Sequence, residues 1–174
     1  MLPRRATGRE YIVVAGLLVA AAALQGAGML RFGITSCGPD LVAIVVACWS
    51  YLSTGAGGIG WAVLGGLLLD AMSAGPFPHQ LLALCVCWLV ARGLRTLANP
   101  ESSSWGLLVV GLAVVAFLAV DSLLLQLKGW EVISGNRFAG VMLPTLLIDT
   151  AASLAIMPAL RRANRWLQQP SAAL

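Results

Sequence analysis

The sequence predicts an all-α polytopic membrane protein, a bundle of six transmembrane helices with both termini in the cytoplasm. Hydrophobic residues make up 59% of the chain and charged residues only 10%, whereas a soluble domain carries about 25% charged residues. The apolar residues fall into six runs separated by short polar or glycine- and proline-rich segments. No polar stretch is long enough to build a soluble domain, so residues 1–174 are predicted to form a single integral membrane domain.

Six spans follow from these runs. The predicted spans cover residues 11–30, 41–53, 56–74, 79–94, 105–127 and 138–160. The first run lacks a clear small-x-small cleavage site, which favours a retained span over a signal peptide. Pro39-Asp40 begins the second span, and we expect the Asp40 side chain to accept hydrogen bonds from the first free amides of that helix. The third span follows after almost no loop.

The last three spans also begin and end at clear signals. The segment 75–78, Gly-Pro-Phe-Pro, is a strong helix breaker. His79 then opens the fourth span, and two arginines close it. The fifth span contains Asp121 and the sixth contains Asp149. Three arginines between 161 and 165 are expected to terminate the sixth span.

The basic residues predict the orientation. An even number of spans puts both termini on one side of the membrane, and that side holds eight of the eleven basic residues: Arg4, Arg5, Arg9, Arg92, Arg95, Arg161, Arg162 and Arg165. The positive-inside rule therefore predicts cytoplasmic termini. Because the arginines flank apolar segments and do not line one polar face, we expect no nucleic-acid partner.

A ridge of small residues on the third span is predicted to organise the bundle. Gly58, Ala62, Gly66, Asp70 and Ala74 are spaced four apart, which places them on one face of a helix. Small residues at this spacing let two transmembrane helices approach closely. A carboxylate on such a ridge is expected to face protein, because burying its charge in lipid is expensive.

Ionisable residues concentrate toward the outer side of the predicted bundle. Asp40, Asp70, Asp121 and Asp149 occupy its middle and outer levels, where only three basic residues are available. Asp40 and Asp70 are expected to matter most, then Asp149, with Asp121 and His79 behind. His79 is predicted to lie at a loop edge in contact with water.

Three interpretations of these acidic residues stay open. They could cap helices or form hydrogen bonds across packing seams. They could line an outward pocket for a polar or cationic ligand, or they could couple a proton or ion through an Asp–His relay. The sequence shows no catalytic Ser/His/Asp spacing, phosphate-binding glycine loop or helical metal-ligand pair. We therefore predict no enzyme activity, no cofactor and no metal, and the four cysteines predict no disulfide.

Three short motifs, taken in order, resemble the MreD family of bacterial rod shape-determining membrane proteins. They are Pro39-Asp40-Leu41, the segment 66–70 (Gly-Leu-Leu-Leu-Asp) and Gly75-Pro76. Length, six spans and cytoplasmic termini agree with that family over most of the chain. The sequence departs from the family at 78–80 (Pro-His-Gln), where the family usually has glycine before its histidine-containing helix start.

The resemblance implies a non-enzymatic, multi-pass scaffold of the bacterial inner membrane, surrounded by membrane lipid. Such a protein would act in cell elongation beside a bitopic MreC-like partner, the MreB filament and the lateral-wall peptidoglycan synthases. Its outer polar groove would face the partner. The family is also similar in fold to the substrate-binding subunits of energy-coupling-factor transporters. That similarity leaves an alternative function open, the binding of a small vitamin in an outward pocket.

Overall fold

The computed structural model describes residues 8–27, 38–53, 58–73, 77–97, 103–129 and 135–168. These residues form six α-helices: α1 (Gly8–Gly26), α2 (Leu41–Leu52), α3 (Gly58–Met72), α4 (His79–Leu97), α5 (Ser103–Leu127) and α6 (Gly135–Gln168). The described part of the chain is therefore all-α, as the sequence predicts. Three segments are long and apolar enough to cross a membrane: His79–Leu97, Trp105–Leu127 and Leu143–Leu167. The apolar segments of the other three helices are shorter: Glu10–Gly26, Leu41–Leu52 and Gly58–Met72.

Helix α2 lies at the centre of the bundle. It contacts each of the other five helices, and its residues 42–51 are all buried. A helix that is hydrophobic on every side is stable only when protein or lipid surrounds it completely. The third span was predicted to organise the bundle, but α3 keeps exposed side chains such as Ile59 and Leu67. The continuous apolar run of α2 is what selects it for the centre.

Neighbouring side chains hold the C-terminal end of this short central helix. Its 12 residues span about 18 Å, less than the roughly 30 Å hydrocarbon core of a bilayer. The Nη1 atoms of Arg92 and Arg95 both donate to the carbonyl oxygen of Ser53, Arg92 at 3.1 Å. Asn164 Nδ2 donates to the carbonyl oxygen of Leu52 at 3.5 Å. Positive charge at this end also complements the helix dipole.

Two helices continue past the predicted ends, and one stops earlier. Helix α4 reaches Leu97 instead of residue 94, and α6 reaches Gln168 instead of residue 160. The arginines predicted to close the fourth and sixth spans therefore lie within helices, as suits a good helix former, and the long side chains of Arg92 and Arg95 reach the end of α2 from there. Helix α1 ends at Gly26, not residue 30, and residues 28–30 lie outside the described part.

Backbone contact joins α3 to α4. A Cβ atom built on Gly66 would lie 2.4 Å from Leu81 Cα and 3.0 Å from Leu81 N. One built on Gly58 would lie 2.6 Å from Trp88 Nε1. Ala62, between these glycines, is fully buried. The absence of Cβ atoms at Gly58 and Gly66 is therefore what lets the two helices approach so closely.

Part of α3 faces the central helix instead. A Cβ atom on Gly65 would lie 2.9 Å from Val42 Cγ1, so α3 turns one small-residue face toward α4 and the adjacent one toward α2. Gly65 was not part of the predicted ridge, whose residues are spaced four apart. Ala74, the last residue of the predicted ridge, lies outside the described residues.

Candidate functional site

Asp70 caps the N-terminus of a different helix. Its Oδ1 accepts a hydrogen bond from Gln80 N and its Oδ2 accepts one from Leu81 N, both at 3.1 Å. These amides belong to the first turn of α4, where backbone donors have no partner inside the helix, and negative charge there is favoured by the helix dipole. Asp70 is buried and follows Gly66 by one turn. The close approach of α3 and α4 at Gly66 therefore brings this carboxylate to the end of α4.

The ring of His79 lies between two carboxylates. Its Nδ1 is 3.1 Å from Asp70 Oδ1, and its Nε2 is 3.6 Å from Asp121 Oδ1. His79 is only 3% exposed, so the prediction of a loop-edge residue in water was wrong. The reason is local: His79 is the first residue of α4, and the capping contact with Asp70 turns that end of the helix into the bundle.

Side chains from α1 and α6 hold the N-terminus of α2. Asp40 was expected to cap this helix, but its side chain makes no capping hydrogen bond. Instead Asp40 Oδ1 accepts from Gln25 Nε2 at 2.8 Å, and Gln25 Oε1 accepts from Val42 N at 3.4 Å. Asp149 Oδ1 accepts from Asp40 N at 2.8 Å. Gln25 was not among the predicted site residues, because its only signal in the sequence is one amide side chain in the apolar first run.

Asp149 has one oxygen in use and one without a partner. The residue is 1% exposed and lies on a buried polar stripe of α6 with Thr145 and Ser153. Its Oδ1 holds Asp40 N, whereas Oδ2 has no hydrogen-bond partner within the described part of the chain. The main task of this carboxylate is therefore to fix the start of α2 against α6.

Asp121, unlike Asp70 and Asp149, holds no helix end. Its Oδ1 approaches the His79 ring but has no hydrogen-bond partner among the described residues. Its side chain is 22% exposed, whereas that of Asp70 is fully buried. Asp121 also lies within electrostatic range of Asp40 and Asp70. These contacts connect the two capping clusters into one group, which we call the polar layer: Gln25, Asp40, Asp70, His79, Asp121 and Asp149.

The polar layer shows no arrangement typical of a metal centre. Among the residues that the structure describes, no group of three or more His, Cys, Asp or Glu side chains could hold a metal ion. Cys48, Cys85 and Cys87 are free thiols, and Cys37 lies outside the described part. The layer does show two buried carboxylates, Asp70 and Asp149, that accept hydrogen bonds from amides at helix ends. The other two, Asp40 and Asp121, are half-buried and hold no helix end.

Comparison with known families decides the assignment. Residues 8–165 match a family model described as rod shape-determining protein MreD. The chain belongs to the MreD family. Neither a search of curated proteins nor a search of solved structures gave a match.

Membership of the MreD family indicates the general role of this protein. It is a membrane protein with a role in rod shape determination, in a family of structural proteins not known as enzymes. Two of the three motifs that carry the resemblance contribute a residue to the polar layer: Asp40 precedes α2, and Asp70 ends the segment 66–70. The third motif, Gly75-Pro76, lies outside the described residues. The comparisons give no support to the vitamin-binding alternative or to a similarity in fold with transporter subunits.

Proposed function

We propose that this MreD-family protein is a non-enzymatic, multi-pass scaffold of the bacterial inner membrane. In this proposal all six helices form one membrane domain, both termini are cytoplasmic and the polar layer lies toward the outer leaflet. The charged residues that surround the two ends of α2 support that orientation. Five arginines of α4 and α6 lie toward its C-terminal end: Arg92, Arg95, Arg161, Arg162 and Arg165. The polar layer surrounds its N-terminal end, as the positive-inside rule requires.

The polar layer is the proposed binding surface for a bitopic MreC-like partner, beside the MreB filament and the lateral-wall peptidoglycan synthases. One observation carries this proposal. The carboxylates of Asp70 and Asp149 accept hydrogen bonds from amides at helix ends, and that of Asp40 accepts one from Gln25 Nε2. By contrast, Asp121 Oδ1 lies 3.6 Å from His79 Nε2 and has no hydrogen-bond partner within the described residues. Packing of the bundle explains three carboxylates but not the fourth.

The energetics of a carboxylate at membrane depth point to a partner. Burying such a group without a compensating donor costs several kcal/mol in practice, by order of magnitude. A hydroxyl, amide or cationic side chain from a partner's outer-leaflet segment would satisfy Asp121 through a charge-assisted hydrogen bond. We therefore assign partner contact to Asp121, and architectural roles to Asp40, Asp70 and Asp149 and to the buried ring of His79.

Capture of an MreC-like protein tests this assignment. Tagged chain and partner are co-expressed, extracted in a mild detergent, and the captured partner is quantified per chain. Asp121→Asn should lower the apparent affinity about tenfold or more, because a hydrogen bond to a charged group is lost. Glu10→Gln is the matched control, because it makes the same carboxyl-to-amide change at the start of α1. Equal capture by both variants and the unmodified chain would refute the role of Asp121.

A further inference from the structure

The C-terminal end of α2 lies in a second cluster of polar side chains, remote from the polar layer. Arg92 and Arg95 of α4 donate to Ser53 O. Arg161 of α6 packs over Gly106 of α5, where a Cβ atom would lie 2.9 Å from Arg161 Nη2. The same point lies 3.0 Å from Tyr51 Cε1 and 2.7 Å from Met157 Cε, so the tyrosine ring of α2 and this guanidinium pack closely together over Gly106. We call Tyr51, Arg92, Arg95 and Arg161 the arginine cluster.

The hydroxyl of Tyr51 is a donor without an acceptor. Tyr51 is 3% exposed, and its hydroxyl oxygen is buried with no hydrogen-bond partner in the described part of the protein. Arg95 lies within electrostatic range of the same side chain. Buried polar groups are nearly always paired, so an orphaned hydroxyl among guanidinium groups needs an explanation. An anionic oxygen admitted beside Tyr51 would accept from both the hydroxyl and the guanidinium groups.

The charge at this end also exceeds what the helix end requires. The C-terminus of a helix carries about half a negative charge, whereas the arginine cluster carries three formal positive charges. Two more arginines, Arg162 and Arg165, follow on α6 and are exposed. Along the sequence, only Glu10 and Glu101 lie near this end of the predicted bundle. These two carboxylates do not balance the five arginine charges, so the net charge at this end is positive.

Exposed aromatic and apolar side chains border the cluster. Trp105 near the start of α5 is 50% exposed, and Trp166 near the end of α6 is 60% exposed. Tryptophan is enriched at the level of lipid headgroups. Leu108, about one turn after Trp105, is 57% exposed, and Leu154, about three turns before Trp166, is 54% exposed, as expected for surfaces that contact acyl chains.

We propose that the arginine cluster binds the phosphate of an anionic phospholipid headgroup. Guanidinium groups bind phosphate oxygens in paired geometry, the Tyr51 hydroxyl donates to a third oxygen, and Arg162 and Arg165 attract the headgroup from the rim. Basic clusters between transmembrane helices on the cytoplasmic side are suited to anionic lipids. The half-buried arginine side chains turn aside to admit the phosphate, as long flexible side chains can. The site belongs to the cytoplasmic leaflet and does not involve the partner surface.

Lipid titration followed by native mass spectrometry tests the proposal. The purified full chain in detergent is titrated with dioleoyl phosphatidylglycerol and, separately, with dioleoyl phosphatidylcholine. We expect the anionic lipid to bind at least tenfold more tightly. Tyr51→Phe removes one hydroxyl and should weaken phosphatidylglycerol binding about tenfold, as expected for a lost hydrogen bond to a charged group. Tyr11→Phe, the same change in the only other tyrosine, should leave binding unchanged.

A second set of variants separates this site from general charge attraction. Removing both rim charges with Arg162→Gln and Arg165→Gln should weaken phosphatidylglycerol binding roughly fivefold per arginine. Lys128→Gln, a charge removal from an exposed side chain in the turn after α5, should have no effect. Equal binding of the two lipids would overturn the proposal, as would equal losses in Tyr51→Phe and Tyr11→Phe. Competition by inorganic phosphate at concentrations comparable to the lipid would also overturn it, because the site would then take a free anion.

Discussion

Replacing Gly66 by alanine should separate α3 from α4 and release the cap that Asp70 provides. The new Cβ atom would lie 2.4 Å from Leu81 Cα, whereas ordinary contact begins at 3.4 Å. The helices must therefore part by about 1 Å, and no side-chain rotation can relieve a clash with backbone. Overpacking of this kind costs about 1–3 kcal/mol. The two amide bonds to Asp70, now 3.1 Å long, would lengthen as well, so we expect a loss of about 3 kcal/mol.

Gly60→Ala provides the matched control on the same helix. A Cβ atom on Gly60 would meet no atom within 4 Å, so alanine should be neutral or should stabilise α3 by up to about 1 kcal/mol through helix propensity. Thermal unfolding of both variants in one detergent measures the difference. A chain of this size should lose about 6–12 °C in Tm for 3 kcal/mol. Equal Tm values for Gly66→Ala and Gly60→Ala would refute the backbone contact.

Two further substitutions test other contacts by the same thermal assay. Gly106→Ala should lower the free energy of unfolding by less than about 1 kcal/mol, because the atoms nearest the new Cβ are mainly the flexible ends of side chains. Gly111→Ala is its control, because a Cβ atom there would meet nothing within 4 Å. A loss of stability in Gly106→Ala as large as that in Gly66→Ala would contradict the reasoning. Gln25→Leu should destabilise the chain by about 1–3 kcal/mol, because the Val42 amide loses its acceptor. The control is Gln126→Leu at an exposed site, and an equal Tm for these two variants would show that Gln25 caps nothing.

Short-range patterns in the sequence predicted much of the fold. Six apolar runs predicted the six helices, because periodicity and breakers such as the segment 75–78 act over a few residues. The spacing of small residues placed Gly58, Ala62 and Gly66 on a face that the structure packs inside the bundle. These features depend on neighbours along the chain, so one sequence is enough to find them.

The contacts that build the polar layer could not be predicted in this way. Asp149 lies 109 residues along the chain from Asp40, whose amide donates a hydrogen bond to it, and Gln25 lies 17 residues from Val42. No local pattern states which helix end a buried side chain will reach. Asp40 illustrates the difficulty: its position before α2 is typical of a helix cap, yet Gln25 and Asp149 meet that need. The burial of His79 likewise follows from tertiary packing, which overrides the local preference of a residue beside a turn.

Stability and partner capture, measured on the same preparations of Asp70→Asn and Asp121→Asn, test the central division of the polar layer most directly. Asp70→Asn replaces one acceptor oxygen with an amide donor that faces other donors, so it should lower Tm, and capture of an MreC-like protein should fall only as far as folded protein is lost. Asp121→Asn should keep or raise the Tm of the unmodified chain, because it removes a carboxylate charge that has no compensating donor, and it should lose capture. The reverse result, a destabilised Asp121→Asn that still captures its partner, would contradict the account.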